Sequence, residues 1–176
     1  IWGMVRDSSW NFKIGTLLLY PILSLLYLAC WHVQPLPSAL FFLCITIFHW
    51  GQGDRYLTFK LHRAGYLERS ALLKALHIIS RGGIPILLPG YFGNETYREF
   101  LEAMIRQGGQ VDYDLSWISQ NPLFFLLAPI LPTVLQVCLS LPQLKDGEGK
   151  ALSLDAFEAL FLLAWFLFVP TLWALG

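Results

Sequence analysis

The sequence predicts an all-α protein, a polytopic transmembrane helix bundle with about five spans, and two observations support this. First, 56% of the 176 residues are apolar and only 14% are charged, whereas a soluble domain carries about 25% charged residues. Second, a membrane-spanning helix needs about 20 mostly apolar residues. Five segments approach that requirement: 14–31, 36–50, 71–91, 117–141 and 156–176.

The distribution of basic residues predicts an orientation in the cell membrane. If the spans alternate, one side holds Arg6, Lys13, Arg55, Lys60, Arg63, Arg69, Lys74, Lys145 and Lys150, while the other holds Arg98 and Arg106. Cytoplasmic loops are the ones enriched in Lys and Arg. We therefore expect the 51–70 and 143–154 loops to be cytoplasmic. The formal net charge is zero, which gives no electrostatic footprint for nucleic acid and leaves the lipid bilayer as the expected partner.

The two ends of the sequence resemble positions inside a longer chain. The first residue is Ile1, and Gly176 lies within an apolar run. We expect residues 1–176 to form a single transmembrane domain that is an internal fragment of a longer membrane protein.

His49 is the first candidate for a functional residue, because the second span is short. Residues 36–50 would give about 22 Å of helix, less than the roughly 30 Å hydrocarbon core. The helix should therefore continue through residues 51–53, which places His49 below the membrane surface and facing the bundle interior or a wet cavity. Two interpretations remain open. The ring is either a core histidine bonded to a neighbouring helix or a metal ligand, since neutral imidazole suits iron, zinc and copper.

Asp54 is a candidate to support the site from a second layer of contacts. It lies about 140° around an ideal helix from His49, so it should instead meet a residue on another helix. Gly51 and Gly53 lack side chains and would let a neighbouring helix or a ligand approach closely.

The sequence Arg81-Gly82-Gly83-Ile84-Pro85, near the middle of the third span, is a second candidate for a functional segment. Glycines and proline should kink or break the helix there. Irregular backbone at membrane depth is tolerated only inside protein or along a cavity. We expect Arg81 to pair with Asp54 or to bind freed carbonyls, as structural support rather than as a catalyst.

Other polar and aromatic residues have weaker predicted roles. Gln136 should join helices by a hydrogen bond. Thr96 and Glu99 fit a capping box for a helix with an apolar stripe formed by Phe100, Leu101, Met104 and Ile105. This helix either lies at the membrane interface or simply connects two spans. The aromatic residues proposed to line a cavity for a long apolar substrate are Trp50, Tyr91 and Phe92.

Two motifs in this order resemble the Brp/Blh family of membrane β-carotene 15,15′-dioxygenases: FHWGQGD at 48–54 and ISRGGIPILLPGYF at 79–92. The resemblance implies an enzyme in which histidines on different membrane helices hold Fe(II). With O₂, the enzyme cleaves the central double bond of β-carotene to two retinals, and a retinal-binding rhodopsin could accept the product. By this resemblance His49 is one iron ligand. The family's Pro-His-Gly and His-x-x-x-His motifs are not in this sequence, so we expect the fragment alone to be inactive.

A membrane transporter or binding subunit is the alternative function. Broken helices at membrane depth are common at transporter binding sites. A third span broken beside an intramembrane Arg81 would fit that class as well.

Overall fold

The computed structural model describes residues 10–109 and 113–169, and these residues form an all-α bundle. The α-helices are α1 (Trp10–Val33), α2 (Pro35–His62), α3 (Ala71–Leu87), α4 (Pro89–Phe92), α5 (Asn94–Arg106), α6 (Ser116–Gln120), α7 (Pro122–Ser140) and α8 (Gly149–Phe168). Short 3₁₀ turns occupy Gly65–Glu68 and Leu141–Gln143. Helix α3 lies at the centre and packs most extensively against α2 and α7.

Within the described residues, four helical segments are long and apolar enough to cross a membrane: Pro35–His62, Ala71–Phe92, Pro122–Gln143 and Gly149–Phe168. They correspond to four of the five predicted spans. The first predicted span corresponds to a shorter apolar stretch, Leu17–Val33, within α1. The last residues of the fifth predicted span, 170–176, lie outside the described part of the chain.

Helix α2 is much longer than the apolar run that predicted it. It has 28 residues, or about 42 Å at about 1.5 Å per residue, so the expectation that it continues beyond Trp50 is confirmed. The predicted 51–70 loop was therefore too long, because the helix ends only at His62. Arg63 follows it as the C-cap, in the left-handed conformation with φ 57°. The predicted 143–154 loop was also too long, since α8 begins at Gly149.

Two glycines allow α2 and α3 to cross with their backbones in contact. A Cβ atom on Gly51 would lie 2.0 Å from the carbonyl oxygen of Ile78, and one on Gly82 would lie 1.8 Å from that of Ile47. Neither position can hold a larger side chain without separating the helices. The predicted close approach is thus confirmed for Gly51. No neighbouring helix approaches Gly53 within the described residues, because a Cβ there would meet nothing within 4 Å, and close approach of a ligand there stays a prediction.

The expected break beside Arg81 is wrong. Helix α3 continues through Gly82, Gly83 and Pro85 to Leu87, and the interruption comes at Leu88, before Pro89. Gly82 packs on α2, and a Cβ on Gly83 would lie 3.4 Å from Pro129 of α7. A glycine costs a helix only about 1 kcal/mol relative to alanine, and close packing on both sides offsets that cost.

The turn Gly65–Glu68 and the segment before α8 meet at one end of the bundle. Arg69 Nη2 lies 2.7 Å from Glu148 Oε1, and Tyr66 and Leu67 pack with Ala151 and Leu152. Glu68 bridges Arg55 of α2 and Lys74 of α3. The hydrogen bond from Lys74, together with the Arg55 charge, lowers the pKa of Glu68. The two loops predicted to share a membrane side therefore lie at the same end.

Helix α5 lies at the opposite end, where the ring of His32 donates to the carbonyl of Gly108 at 2.8 Å. The buried stripe of α5 consists of Tyr97, Leu101 and Ile105. Phe100, which was predicted to belong to the stripe, is exposed. The predicted capping box is also wrong, because Gly93 occupies the N-cap and Thr96 lies inside the helix.

We expect Gly51→Ala and Gly82→Ala each to lower the free energy of unfolding by about 1–3 kcal/mol, the usual cost of overpacking. Gly53→Ala is the matched control. It should leave stability unchanged or raise it slightly, because alanine is the better helix former. Reversible unfolding in mixed micelles measures all three. Equal stability of Gly51→Ala and Gly53→Ala would contradict the close crossing of α2 and α3.

Candidate functional site

His49 lies on an exposed face of α2. The expectation that it faces the interior is therefore wrong for this chain. Gly51 contacts α3, and a residue two positions earlier lies about 160° away around a helix, so the α2 face that bears His49 points away from α3. No group of three His, Cys, Asp or Glu side chains among the described residues is arranged to hold a metal ion.

Asp54 also belongs to α2 but faces α3. Its Oδ2 accepts a hydrogen bond from His77 Nε2 at 3.0 Å and lies 3.4 Å from Arg81 Nε. The predicted pairing of Arg81 with Asp54 is confirmed, as is the expectation that Asp54 meets another helix rather than His49. A supporting role for Asp54 at a metal site stays a prediction.

Asp155 of α8 is the residue that the sequence analysis missed. Its side chain is only 1% exposed. It accepts hydrogen bonds from Tyr66 Oη at 2.9 Å, from Gln136 Nε2 at 2.8 Å and from Arg81 Nη2. His77 Nδ1 lies 3.7 Å from its Oδ1. We call this set the Arg81 cluster: Asp54, Tyr66, His77, Arg81, Gln136 and Asp155.

The Arg81 cluster joins α2, α3, α7, α8 and the turn at Tyr66. The predicted role of Gln136 as an interhelical hydrogen-bond donor is confirmed by its contact with Asp155. Burial raises the pKa of Tyr66, and the Asp155 charge adds to that rise. The Tyr66 hydroxyl therefore stays protonated and remains a donor to Asp155.

The sequence contained a signal that could have found Asp155. The fifth span was predicted to begin at residue 156, which left Asp155 just outside the span, whereas α8 begins at Gly149. Residues three apart share a helix face, so a span starting earlier would have placed Asp155 and Glu158 together inside the bundle. Glu158 lies at the edge of the cluster, with Oε1 3.0 Å from His62 Nε2.

Arg81 is buried among charges that compensate it. Its Nη2 donates to the Asp155 carboxylate and backbone carbonyl, and Glu158 Oε2 lies 3.7 Å from the same nitrogen. A buried ion is stable only when it is paired and hydrogen-bonded. Arg81 Nη1 and His77 Nδ1 are nevertheless buried without a hydrogen-bond partner among the described residues.

An open groove runs beside the cluster between α2 and α8. One part has a volume of about 440 Å³ and the other of about 430 Å³. Trp50 lines the second part, and its predicted role in a substrate cavity stays a prediction. Tyr91 and Phe92 do not line it; their rings pack edge to face at 5.0 Å, and Tyr91 packs against the core near α5.

The described residues thus form a bundle in which four helical segments are long and apolar enough to cross a membrane, with the Arg81 cluster at its centre. The model of the β-carotene 15,15′-dioxygenase family matches residues 3–176, and the chain belongs to this family.

A probable β-carotene 15,15′-dioxygenase Blh from Halobacterium salinarum is 31% identical over 167 residues, which is 95% of this chain and 47% of the relative. The chain therefore spans about half the length of that relative. No solved structure matches it.

Asp155→Leu should lower the free energy of unfolding by about 3–5 kcal/mol, because it breaks the buried ion pair and leaves Arg81 only the longer contacts to the more exposed Asp54 and Glu158. Glu158→Leu is the control on the same helix. Its side chain is 41% exposed, so we expect a loss of no more than about 1 kcal/mol. Unfolding in mixed micelles compares the two. Losses of the same size would show that the Arg81 cluster does not depend on Asp155.

Proposed function

We propose that this chain forms part of a β-carotene 15,15′-dioxygenase of the cell membrane. The enzyme would cleave the central double bond of β-carotene with O₂ to give two retinals. The observation that carries the proposal is the family match over residues 3–176. The apolar helices and the apolar groove between α2 and α8 suit a hydrocarbon substrate that reaches the enzyme from lipid.

Fe(II) is the metal that this proposal requires, and His49 is the ligand we assign to it. This assignment rests on the resemblance of FHWGQGD at 48–54 to the family's motif. His49 is exposed, and among the described residues no hydrogen bond or ion pair of its ring is found. Its imidazole is of the donor type that suits non-haem iron, so it is available as a ligand.

Imidazole is a suitable type of ligand for iron, but a single imidazole provides too few ligands to hold the metal. Non-haem iron oxygenases typically hold iron with several histidine or carboxylate ligands and leave open positions, and iron bound in this way supplies the activation of O₂. We propose that the remaining ligands come from outside the described residues and that this chain alone is inactive. Asp54 and Arg81 then act indirectly, by fixing α2 against α3 so that His49 is presented on the open face.

The transporter alternative has lost the feature that favoured it. That reading required a third span broken beside Arg81, whereas α3 is helical from Ala71 to Leu87. Arg81 is satisfied largely by Asp155 and Asp54, as expected of a residue that joins helices.

The orientation and the product acceptor are further parts of the proposal. Segments 63–70 and 144–148, which contain Arg63, Arg69 and Lys145, lie at one end of the bundle and are joined by Arg69 and Glu148, which supports a shared cytoplasmic side. A retinal-binding rhodopsin is the proposed acceptor of the product.

His49→Ala in the full-length protein should abolish retinal formation in β-carotene-producing cells and reduce the iron content of the purified protein. The control is His32→Gln, which keeps a hydrogen-bond donor near Gly108 at the far end of the bundle and should retain both. Retinal and iron are measured by chromatography and metal analysis. Unchanged iron in His49→Ala would remove His49 from the metal site, and absence of retinal from the wild-type protein would refute the activity.

A further inference from the structure

A polar pocket lies at the end of the bundle where α2 ends and α8 begins. Its volume is about 580 Å³, within the range of about 300–1,000 Å³ typical of ligand pockets. The end of α2, the first turns of α8 and the segment just before α8 form its wall. We call it the loop-end pocket, and five of its lining residues can carry a charge: His62, Arg63, Asp146, Glu148 and Lys150.

Two of these five residues already have charged partners. Glu148 Oε1 lies 2.7 Å from Arg69 Nη2, and His62 Nε2 lies 3.0 Å from Glu158 Oε1. These two pairs therefore leave little charge for a ligand to compensate.

The remaining three side chains, Arg63, Asp146 and Lys150, are exposed and form no ion pair within the described residues. Two basic groups against one acidic group leave the pocket with an excess of one positive charge. Arginine and lysine are the residues that bind phosphate groups. The loop-end pocket therefore favours a ligand with a single negative charge.

The loop-end pocket adjoins the nearer part of the groove between α2 and α8, because Leu61 and His62 line both. Along α2 this part runs from Asp54 to His62, or about 12 Å at about 1.5 Å per residue. One leaflet occupies about 15 Å, half of the roughly 30 Å hydrocarbon core. The nearer part of the groove thus matches the depth of a single lipid chain.

The nearer part of the groove offers apolar surface to such a chain. Burial of a hydrocarbon against apolar side chains is favourable in proportion to the area covered. The charged groups beside it are already paired with one another, Asp54 with Arg81 and His62 with Glu158. The apolar side chains that line it are Leu57, Leu61, Phe157, Phe161 and Leu162.

We propose that the loop-end pocket and the nearer part of the groove together bind one anionic glycerophospholipid. Arg63 and Lys150 bind its phosphodiester, Asp146 accepts hydrogen bonds from hydroxyl groups of its headgroup, and one hydrocarbon chain lies between α2 and α8. Phosphatidylglycerol has this chemistry, with one negative charge and two headgroup hydroxyls.

The proposed orientation of the chain agrees with an anionic lipid. It puts this end of the bundle on the cytoplasmic side, and anionic lipids give that leaflet a negative surface potential. The deeper part of the groove, beside Trp50, stays open to the hydrocarbon substrate of the proposed function. The lipid site itself does not depend on that function.

The test compares two lipids that differ in the headgroup. The full-length protein in a mild detergent is titrated with phosphatidylglycerol and, separately, with phosphatidylcholine of the same chains. Native mass spectrometry counts the bound lipid. Phosphatidylcholine carries the same phosphodiester, but its quaternary ammonium group makes it neutral and it has no headgroup hydroxyl. We expect one phosphatidylglycerol to bind at least about tenfold more tightly than phosphatidylcholine.

A double variant locates the headgroup. Arg63→Gln combined with Lys150→Gln should reduce the preference for phosphatidylglycerol to within about twofold, because both phosphate-binding charges are lost. Lys60→Gln combined with Lys145→Gln is the charge-matched control. It removes two positive charges near the same end of the bundle, but neither residue lines the loop-end pocket, so the preference should remain.

A second pair of variants locates the hydrocarbon chain. Leu57→Trp fills the groove and should weaken phosphatidylglycerol binding at least about tenfold. Tyr56→Trp is the control, because Tyr56 is exposed on the same helix and lines neither part of the groove. It should bind the lipid as the wild type does.

Equal affinity of the wild-type protein for the two lipids would overturn the inference, as would a preference that survives in the Arg63 and Lys150 double variant. Water-soluble glycerophosphoglycerol separates a lipid site from a site for a free phosphodiester. Binding of this compound as tight as that of the lipid would refute the lipid site. A full-length protein that binds no lipid would refute it too, since another part of the chain would then fill the groove. Retinal formation plays no part in these measurements, so its absence would refute only the proposed function.

Discussion

Arg81 and Asp155 form an ion pair inside an apolar helix bundle, and the positions of α3, α7 and α8 depend on it. Each charge would be very costly alone in a medium of low dielectric constant. Therefore α3, which carries Arg81, and α8, which carries Asp155, cannot separate without leaving an unpaired ion behind. Gln136 and Tyr66 add hydrogen bonds to the same carboxylate. Asp155 is thus the acceptor through which three other elements are held.

The second helix is fixed by a different kind of contact. Gly51 and Gly82 bring the backbones of α2 and α3 together, and the Asp54–His77 hydrogen bond lies next to that crossing. A helix held by its backbone has little freedom to rotate, so the direction of His49 is set by the packing of its opposite face. Under the proposed function, the packing of α2 against α3 would orient His49, the proposed iron ligand, on the open face of α2.

Composition and segment length predicted the helices well, because the bilayer imposes a length on any helix that crosses it. The extension of α2 beyond Trp50 followed from the same reasoning. The pairing of Arg81 with Asp54 was one of two arrangements expected for an arginine inside the third span. The direction of His49 did not, because it depends on which face carries the glycine that touches α3. The continuity of α3 through Pro85 depends on neighbours from two other helices, and Asp155 was missed because its polar surroundings at the start of α8 resemble a loop. The direction of His49 and the continuity of α3 depend on tertiary contacts that a single segment does not encode, whereas an earlier start of the fifth span would have revealed Asp155.

A double-mutant cycle on Arg81→Met and Asp155→Leu tests the central ion pair most directly. If the pair is formed, each single variant leaves one buried charge, whereas the double variant leaves none. The double variant should then be more stable than the sum of the single losses predicts, by about 1–3 kcal/mol in the free energy of unfolding. Additive losses would show that Arg81 and Asp155 do not interact and would contradict this account of the bundle.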